Sequence, residues 1–489
     1  MAVGFATIPA DLRVPLFYAE FDNSQAINGV ASKRALLVGQ PTTAETGLAF
    51  VADAEAASAL YGQGSMLSRM IRAFRANDPF GELWVFPVAD DASGVAHTRT
   101  MTITGTATGA GTLFLYIGGT LVPVLVASGD TPTVQAGNVV TAVNANTRLP
   151  FTAANTAGVV TLTARNKGTL ANSIDVRMNL GGRRAGEVLP AGVSVAFASA
   201  VSGATDPSLA GLAAALGDEE FEVIVAPYTA TAQINALRDM MNDSTGRWAW
   251  SRQIYGHVFA ALKDTSANLI TFGTGRNDQH MTVVGFEPEN PTSQSEMAAA
   301  FAAQVFASIR ADAARPLQTI ELRGVFPTPT GSRFTKSVQQ SLLTRGVALV
   351  GYDSAESVRI VRAVTTYRQN AFGQTDISYL DAETLFTLAE VIRRLRGRIT
   401  QRFPRSKLAN DGTRFGAGQP VVTPKIIKAE LVAQYAEMVE AGLCEDAEGF
   451  AAATIVERNA TDSSRVDVLY APNLVNGLRI FAVLAQFRS

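Results

Sequence analysis

The middle of this chain interrupts the pattern set by the residues on either side of it. Before about Ser93 and after about Gly203, short apolar runs alternate with helix-length amphipathic stretches, which predicts buried strands joined by helices. Between these positions Thr, Gly, Val and Asn dominate and helical periodicity disappears. The sequence therefore predicts a central α/β domain at residues 31–92 and 204–370, interrupted by a β-rich outer insertion, a sandwich or barrel, at residues 93–203.

The predicted α/β elements follow from apolar runs and their spacing. A helix from Ser65 to Ala76 carries an apolar stripe at helical spacing and lies between two short strands. After the insertion, three apolar runs separated by helix-length connections predict buried parallel strands. The strands are Arg34–Gly39, Glu82–Pro87, Phe221–Ala226, Gly256–Ala261 and Met281–Gly285.

Within the insertion, a glycine pair predicts a tight β-hairpin turn. Gly118 and Gly119 separate the apolar runs Thr112–Ile117 and Thr120–Val126. Pro123 predicts that the second strand lies on the edge of its sheet, because proline donates no hydrogen bond to a neighbour.

The two ends of the chain predict extended arms. Residues 476–489 contain Leu478–Phe487, which has apolar side chains on both faces of a predicted strand, and the sequence holds no later element to cover it. Residues 1–30 contain a second short strand, Phe17–Asp22. Helices predicted at Leu380–Arg402 and from Pro424, followed by short strands, predict an α+β domain at residues 371–475. The fold class is thus α/β, organised as a multidomain α+β chain.

Composition excludes several classes of protein. The formal net charge of −2 argues against a dedicated nucleic-acid binder. The single cysteine, Cys444, excludes an internal disulfide framework and a cysteine-cluster zinc site. No run of about eighteen apolar residues occurs, so we expect no membrane insertion.

A search for catalytic motifs favours no enzyme. The three histidines are His97, His257 and His280, and we expect His97 to lie in a solvated loop. Ser332 is the nearest serine candidate for a hydrolase triad, yet it lies where a helix N-cap is expected and no nucleophile-elbow motif surrounds it. No glycine-rich stretch carries a Walker motif and no metal-ligand spacing occurs, so we expect no cofactor.

Two oppositely charged runs occupy the C-terminal part. Residues 393–407 are basic with no acidic residue between, and residues 430–448 are acidic with no basic residue between. The runs are either solvated helix faces, which can pair within the molecule, or complementary patches that meet between subunits or on a partner. The candidate residues are Arg393, Arg394, Arg398, Arg402, Glu437 and Glu440.

The chain resembles the contractile tail sheath proteins, in the branch typified by the transposable phage Mu. The resemblance covers nearly the whole chain and rests on the order and spacing of several segments. These are Val14–Ser24, Ala35–Gln40, Ser65–Met70, Thr102–Ala107 and Pro472–Ile480.

The resemblance implies a structural protein of the virion tail, assembled in the host cytoplasm, whose middle region is shaped like subtilisin without being an enzyme. It implies that subunits form hexameric rings stacked helically around a tail tube protein, between baseplate and tail terminator proteins. The sheath then contracts to drive the tube through the host envelope. Terminal arms add strands to a neighbour's C-terminal sheet. The expected arm contacts are Phe17, Tyr18, Phe21, Ile480, Phe481, Val483 and Leu484.

Two alternatives remain at this point. One is an α/β serine hydrolase with a β-sandwich accessory domain, which predicts a reactive serine. The other is a carbohydrate-binding role for the insertion, although that stretch is poor in Trp and Tyr.

Overall fold

A computed structural model describes residues 33–416 and 418–487 of the chain. The predicted arm at residues 1–30, with Phe17, Tyr18 and Phe21, lies outside these described residues. The first elements match the predicted order of strand, two helices and strand. They are β1 (Arg34–Gly39), β2 (Ala49–Phe50), α1 (Ala54–Leu60), α2 (Met66–Asn77) and β3 (Glu82–Pro87).

The insertion follows, with seven strands and one helix among its described residues. They are β4 (Ala96–Thr104), β5 (Gly111–Ile117), β6 (Thr120–Val126), α3 (Pro132–Ala145), β7 (Phe151–Thr156), β8 (Val159–Lys167), β9 (Val176–Met178) and β10 (Ser194–Val201). Two short 3-10 turns cover Thr169–Ser173 and Arg183–Ala185.

The α/β pattern then resumes. Its elements are α4 (Leu212–Leu216), β11 (Val223–Val225), α5 (Thr231–Met241), β12 (His257–Lys263), α6 (Ser266–Thr274), β13 (Met281–Phe286), α7 (Gln294–Ala311), β14 (Glu321–Leu322), α8 (Lys336–Thr344), β15 (Ala348–Tyr352) and β16 (Val358–Arg362). The C-terminal part holds α9 (Ala382–Arg402), β17 (Lys407–Leu408), β18 (Val421–Val422), α10 (Pro424–Glu440), α11 (Ala447–Ala453), β19 (Ile455–Arg458) and β20 (Val466–Leu469).

One nine-stranded sheet organises the α/β region, in the order β14-β16-β15-β13-β12-β11-β1-β3-β2. Its six middle strands, from β15 to β3, run parallel, and the predicted parallel strands at residues 221–226, 256–261 and 281–285 are adjacent in it. Helix α7 supplies much of the covering layer, and Phe301, Val305 and Phe306 on it are fully buried. The mixed α/β fold class predicted from the sequence is confirmed.

The insertion has its own core between two sheets, in the orders β10-β4-β8-β7 and β6-β5-β9. Strand β6 is an edge strand, as Pro123 predicted. The sequence pattern identified no helix here, yet α3 contributes Ala136, Val139 and Val143 to this core. Val, Thr and Asn are weak helix formers, so packing against the strands outweighs local propensity.

Hydrogen bonds attach the insertion to the carboxyl edge of the parallel strands. Asp90, after β3, accepts hydrogen bonds from Gln40 Nε2 at 2.6 Å and from the Lys167 amide at 2.9 Å. Lys263, at the end of β12, donates to the Ser173 carbonyl at 3.0 Å. At the opposite edge, Arg393 of α9 contacts Glu222, just before β11, at 3.1 Å. The insertion thus lies at the carboxyl ends of the parallel strands, and the C-terminal helices lie at their amino ends, on the opposite side of the central sheet.

The segment Leu478–Phe487, predicted as an arm strand, forms no strand within the single chain among the described residues, and its pairing with a neighbouring copy stays a prediction. A strand exists only through hydrogen bonds to another strand. No strand in the described part of the chain forms backbone hydrogen bonds with this segment.

Candidate assembly surface at the C-terminal segment

The chain leaves the C-terminal fold through a hydrogen-bonded crossing beside Tyr435. The Tyr435 hydroxyl donates to the Glu445 carbonyl at 2.8 Å and accepts from the Asn473 amide at 3.0 Å. The Glu445 amide donates to the Asn473 carbonyl at 2.9 Å, and Leu474 packs against the small core around Tyr435 and Phe450. The rings of Tyr435 and Phe450 stack at 3.7 Å. Residues 473–475 are therefore part of the folded body.

Beyond this crossing, Arg479 makes the last polar contacts. Its Nη1 donates to Gln318 Oε1 at 3.1 Å, and its Nη2 lies 3.4 Å from Asp381 Oδ1 and in contact with Glu383. Gln318 Nε2 donates in turn to the Leu478 carbonyl at 3.0 Å. These four residues, Gln318, Asp381, Glu383 and Arg479, are called the Arg479 clamp below.

Immediately after the clamp, five large apolar side chains lie in solvent. Residues 480–487 make no hydrogen bond with the rest of the described chain. Burying one such side chain stabilises a complex by about 1.5–3 kcal/mol, so five together offer roughly 8–15 kcal/mol against the cost of association. The exposed fractions are 79% for Ile480, 84% for Phe481, 70% for Val483, 85% for Leu484 and 93% for Phe487.

The hairpin β19–β20 forms a separate two-stranded sheet. Ile455 and Leu469 face each other across it and are 53% and 57% exposed, whereas Val456 and Val466 pack towards the core below α10. Neither strand pairs with a third in the part of the chain that is described. An isolated two-stranded sheet with apolar residues on its outer face is suited to accept a further strand.

The structure pairs most of the predicted charged residues within the molecule. Arg398 contacts Glu430 and Glu437 at 2.5 and 2.8 Å, and Arg402 lies 3.5 Å from Glu430. These contacts join α9 to α10, which is the internal pairing that the sequence left open.

The other candidate charges are divided. Arg394 contacts Glu390 of its own helix at 3.0 Å, and Arg393 is held by Glu220 at 2.6 Å. Glu440 is exposed and makes no ion pair with any described residue. Arg396, Arg405 and Lys407, which belong to the basic run, are exposed and pair with no carboxylate in the described chain. The sequence does not show which of these charged residues form ion pairs, because pairing depends on how the helices pack.

The candidate hydrolase residues do not assemble into a triad. His257 opens β12 and its Nε2 lies 2.8 Å from Thr282 Oγ1, while His280 Nε2 lies 2.8 Å from Asp243 Oδ1. Ser332 ends an exposed 3-10 turn, and the N-cap of α8 is Thr335, which corrects the expected N-cap role of Ser332. Within residues 33–416 and 418–487, the ring nitrogens of the three histidines bond to Val201, Thr282 and Asp243 and not to Ser332.

The expected solvated position of His97 is also wrong. His97 is 2% exposed in β4, and its Nδ1 lies 2.9 Å from the Val201 carbonyl. Its ring contacts Phe151 at 6.2 Å. A histidine at the entrance of the insertion is buried because β4 is an inner strand, flanked by β10 and β8.

The buried histidines predict a loss of stability in mild acid. Burial lowers the pKa of His257 well below that of a free imidazole, and it lowers the pKa of His97 as well. The unfolded chain gains these protons below about pH 6.5, whereas the folded chain does not. The stability that the neutral histidines contribute is therefore fully present above about pH 6.5. Below that pH the free energy of unfolding falls by up to about 1.4 kcal/mol per pH unit for each proton that only the unfolded chain binds.

Urea unfolding between pH 5 and pH 7 measures this slope. The non-titrating variant His257→Gln is expected to lose stability less steeply than the natural chain. Equal slopes for the two chains would contradict a role for His257.

Two negative findings concern the described residues. Within residues 33–416 and 418–487, no helix is both long and apolar enough to cross a membrane. The same residues contain no group of three or more His, Cys, Asp or Glu side chains arranged to hold a metal ion.

Known proteins match this chain over its whole length. The model of the phage tail sheath protein central domain matches residues 202–366, and that of the phage tail sheath C-terminal domain matches residues 374–488. The Mu-like prophage FluMu tail sheath protein of Haemophilus influenzae is 39% identical over 495 residues, covering 100% of both chains.

Two solved sheath structures are similar at lower identity. The sheath tail protein Lin1278 from Listeria innocua shares 11% identity, covers 92% of this chain and 93% of its own, and has a TM-score of 0.46. The anti-feeding prophage helical sheath in its contracted state shares 10% identity, with coverages of 98% and 100% and a TM-score of 0.47. By its family models and its full-length relative, the chain belongs to the contractile phage tail sheath proteins and is a Mu-like structural subunit of the tail.

Proposed function

We propose that this subunit polymerises as stacked hexameric rings around a tail tube and contracts to drive that tube through the host envelope. The observation that carries the proposal is the exposed apolar segment 480–487, which leaves a partly buried clamp and has no covering strand among the described residues. A second copy can cover this segment. Because the donor segment and the acceptor hairpin are different segments of the chain, a contact in which each copy donates to the next is heterologous and generates an open helical polymer.

The acceptor in this proposal is the hairpin β19–β20 of a neighbouring copy. Its unpaired edges offer the hydrogen bonds that residues 480–487 lack, and Ile455 and Leu469 offer an apolar face. Ile480, Phe481, Val483 and Leu484 are the proposed arm contacts at this end. Phe17, Tyr18 and Phe21 of the other arm are proposed to join the same mesh.

The arrangement of the chain supports a radial order in the sheath. The insertion and the C-terminal helices lie at opposite edges of the central sheet, so one faces outward when the other faces inward. We place residues 93–203 outside and residues 371–475 near the tube, with residues 31–92 and 204–370 between and residues 476–489 as the arm. The unpaired Arg396 and Arg405 then complete the charged surface of Arg393, Arg394, Arg398 and Arg402 towards the tube.

Contraction in this proposal uses the free energy stored at assembly and involves no enzymatic activity. The proposed partners are other copies of this chain, the tube protein, and the baseplate and terminator proteins at the two ends. Assembly takes place in the host cytoplasm, and the product is part of the virion tail.

Negative-stain electron microscopy of the purified protein tests the proposal, with long tubes and six-fold end views expected. The variant Ile455→Lys with Leu469→Lys is expected to fold but to form no long tubes, because lysines on an exposed edge oppose strand addition. The matched control, Leu125→Lys with Val134→Lys, places the same charges on exposed sites of the insertion and is expected to polymerise normally. Tubes of normal length from the hairpin variant would show that β19–β20 is not the acceptor.

A further inference from the structure

The C-terminal segment changes from bound to the body to exposed between two adjacent residues, at the Arg479 clamp. The Arg479 side chain is 11% exposed, whereas Ile480 is 79% exposed. Between the crossing at Val475 and the clamp, Gly477 passes over Pro316 so closely that a Cβ there would lie 2.7 Å from Pro316 Cγ. The backbone of the segment is thus guided along the body until Arg479 and leaves it there.

The clamp connects the segment to helix α9 and to the nine-stranded sheet. Asp381 immediately precedes α9 and Glu383 lies in the first turn of that helix. Asp381 is also gripped by both Arg362 Nε and Nη2 at 2.7 Å, and Arg362 ends β16 of the nine-stranded sheet. A force applied at residue 480 is therefore transmitted through the Arg479 guanidinium to helix α9 and to the central sheet.

The charges of the clamp make it unfavourable for Arg479 to leave while Glu383 stays buried. Glu383 is 7% exposed, so releasing Arg479 would leave its carboxylate largely buried without its cation. Leaving one partner of a buried pair alone is strongly unfavourable, whereas Asp381 would keep Arg362.

We infer that Arg479 is the mechanical anchor of the C-terminal arm and positions its exit for strand exchange with a neighbouring copy. This inference rests on the proposed function for its role in assembly, but the clamp itself is a property of the single chain. Arg479 acts through the segment that follows it, as a positioning residue. Its partner is a second copy of this chain, which pulls on residues 480–487 as subunits move.

Trypsin tests the clamp in the single chain, because trypsin cleaves after arginine and needs that side chain to be free. The natural chain is expected to release the peptide Ile480–Arg488 slowly, as measured by mass spectrometry under native conditions. Glu383→Gln combined with Gln318→Ala leaves Arg479 in place but removes two of its partners, and is expected to release the peptide at least tenfold faster. Cleavage after the exposed Arg465, 63% exposed, is the internal control and is expected to be unchanged. Equally fast release from both chains would overturn the clamp.

Electron microscopy of the same variant tests the anchor in assembly. The variant is expected to give short or broken tubes, and Arg479→Lys, which keeps the charge, is expected to restore part of the tube length lost in Arg479→Ala. Fast release of the peptide combined with tubes of normal length would overturn the anchor. Failure of the natural chain to form tubes would instead contradict the proposed function, while the trypsin result would still decide whether the clamp exists.

Discussion

A chain truncated after Arg479 is expected to fold normally and to form no sheath-like polymers. Residues 480–487 make no hydrogen bond with the rest of the described chain, and five of their apolar side chains are at least 70% exposed. Their removal therefore costs the single chain little, whereas it removes roughly 8–15 kcal/mol of potential apolar burial between copies. Electron microscopy and sedimentation measure polymer formation, and thermal unfolding measures the fold.

The position of the cut matters for this experiment. A deletion that starts at Leu478 also removes Arg479 and leaves Glu383 buried without its cation, so lost stability would be confused with lost assembly. A second variant keeps the backbone and replaces Ile480, Phe481, Val483, Leu484 and Phe487 by Ser. Both variants are expected to melt within a few degrees of the natural chain. Long tubes from either one would refute the C-terminal arm as a subunit contact.

The largest loss of stability is expected from Phe301→Ala in the centre of α7. Phe301 is fully buried, and its ring lies 6.1 Å from that of Phe259 on β12. Removing a buried phenyl ring loses its burial and leaves a cavity, so the free energy of unfolding is expected to fall by about 3–5 kcal/mol. This is a large part of the stability of a typical domain, about 5–15 kcal/mol. Urea unfolding followed by tryptophan fluorescence measures the change.

Phe80→Ala is the matched control for this variant. Phe80 is 89% exposed in the loop before β3, so the same chemical change there is expected to alter the free energy of unfolding by less than about 0.5 kcal/mol. Similar unfolding midpoints for Phe301→Ala and the natural chain would mean that α7 does not form the covering layer of the central sheet.

Elements with strong local signals could be predicted closely from the sequence. The strand Arg34–Gly39 has the predicted bounds because a continuous apolar run in a parallel sheet is buried on both faces. Pro123 predicted an edge strand through its missing N–H group. Helix α3 was missed because its Val, Thr and Asn residues favour other conformations, and only packing against the insertion sheets makes it helical.

The candidate site was predictable only in part, because its contacts also join residues that are distant in the sequence. The apolar pattern of Leu478–Phe487 pointed to an assembly segment, yet the clamp that holds its base joins residues 318, 381, 383 and 479, which are far apart in the sequence. The charge runs were visible, but whether Arg398 faced a partner or Glu430 depended on how α9 packs on α10. His97 is buried by the strands on both sides of β4, which its local sequence does not reveal, so it was expected in solvent.

The sequence by itself determined the α/β class, the interruption by a β-rich insertion, the family and the apolar character of the C-terminal segment. These follow from local periodicity, composition and the order of segments, which do not require knowledge of distant contacts. Only the tertiary structure decided that residues 478–487 form no strand in the single chain, that Arg479 holds the base of this segment, and that most of the charged residues pair internally. Hydrogen bonds between strands, ion pairs and burial depend on groups that the fold brings together from distant positions.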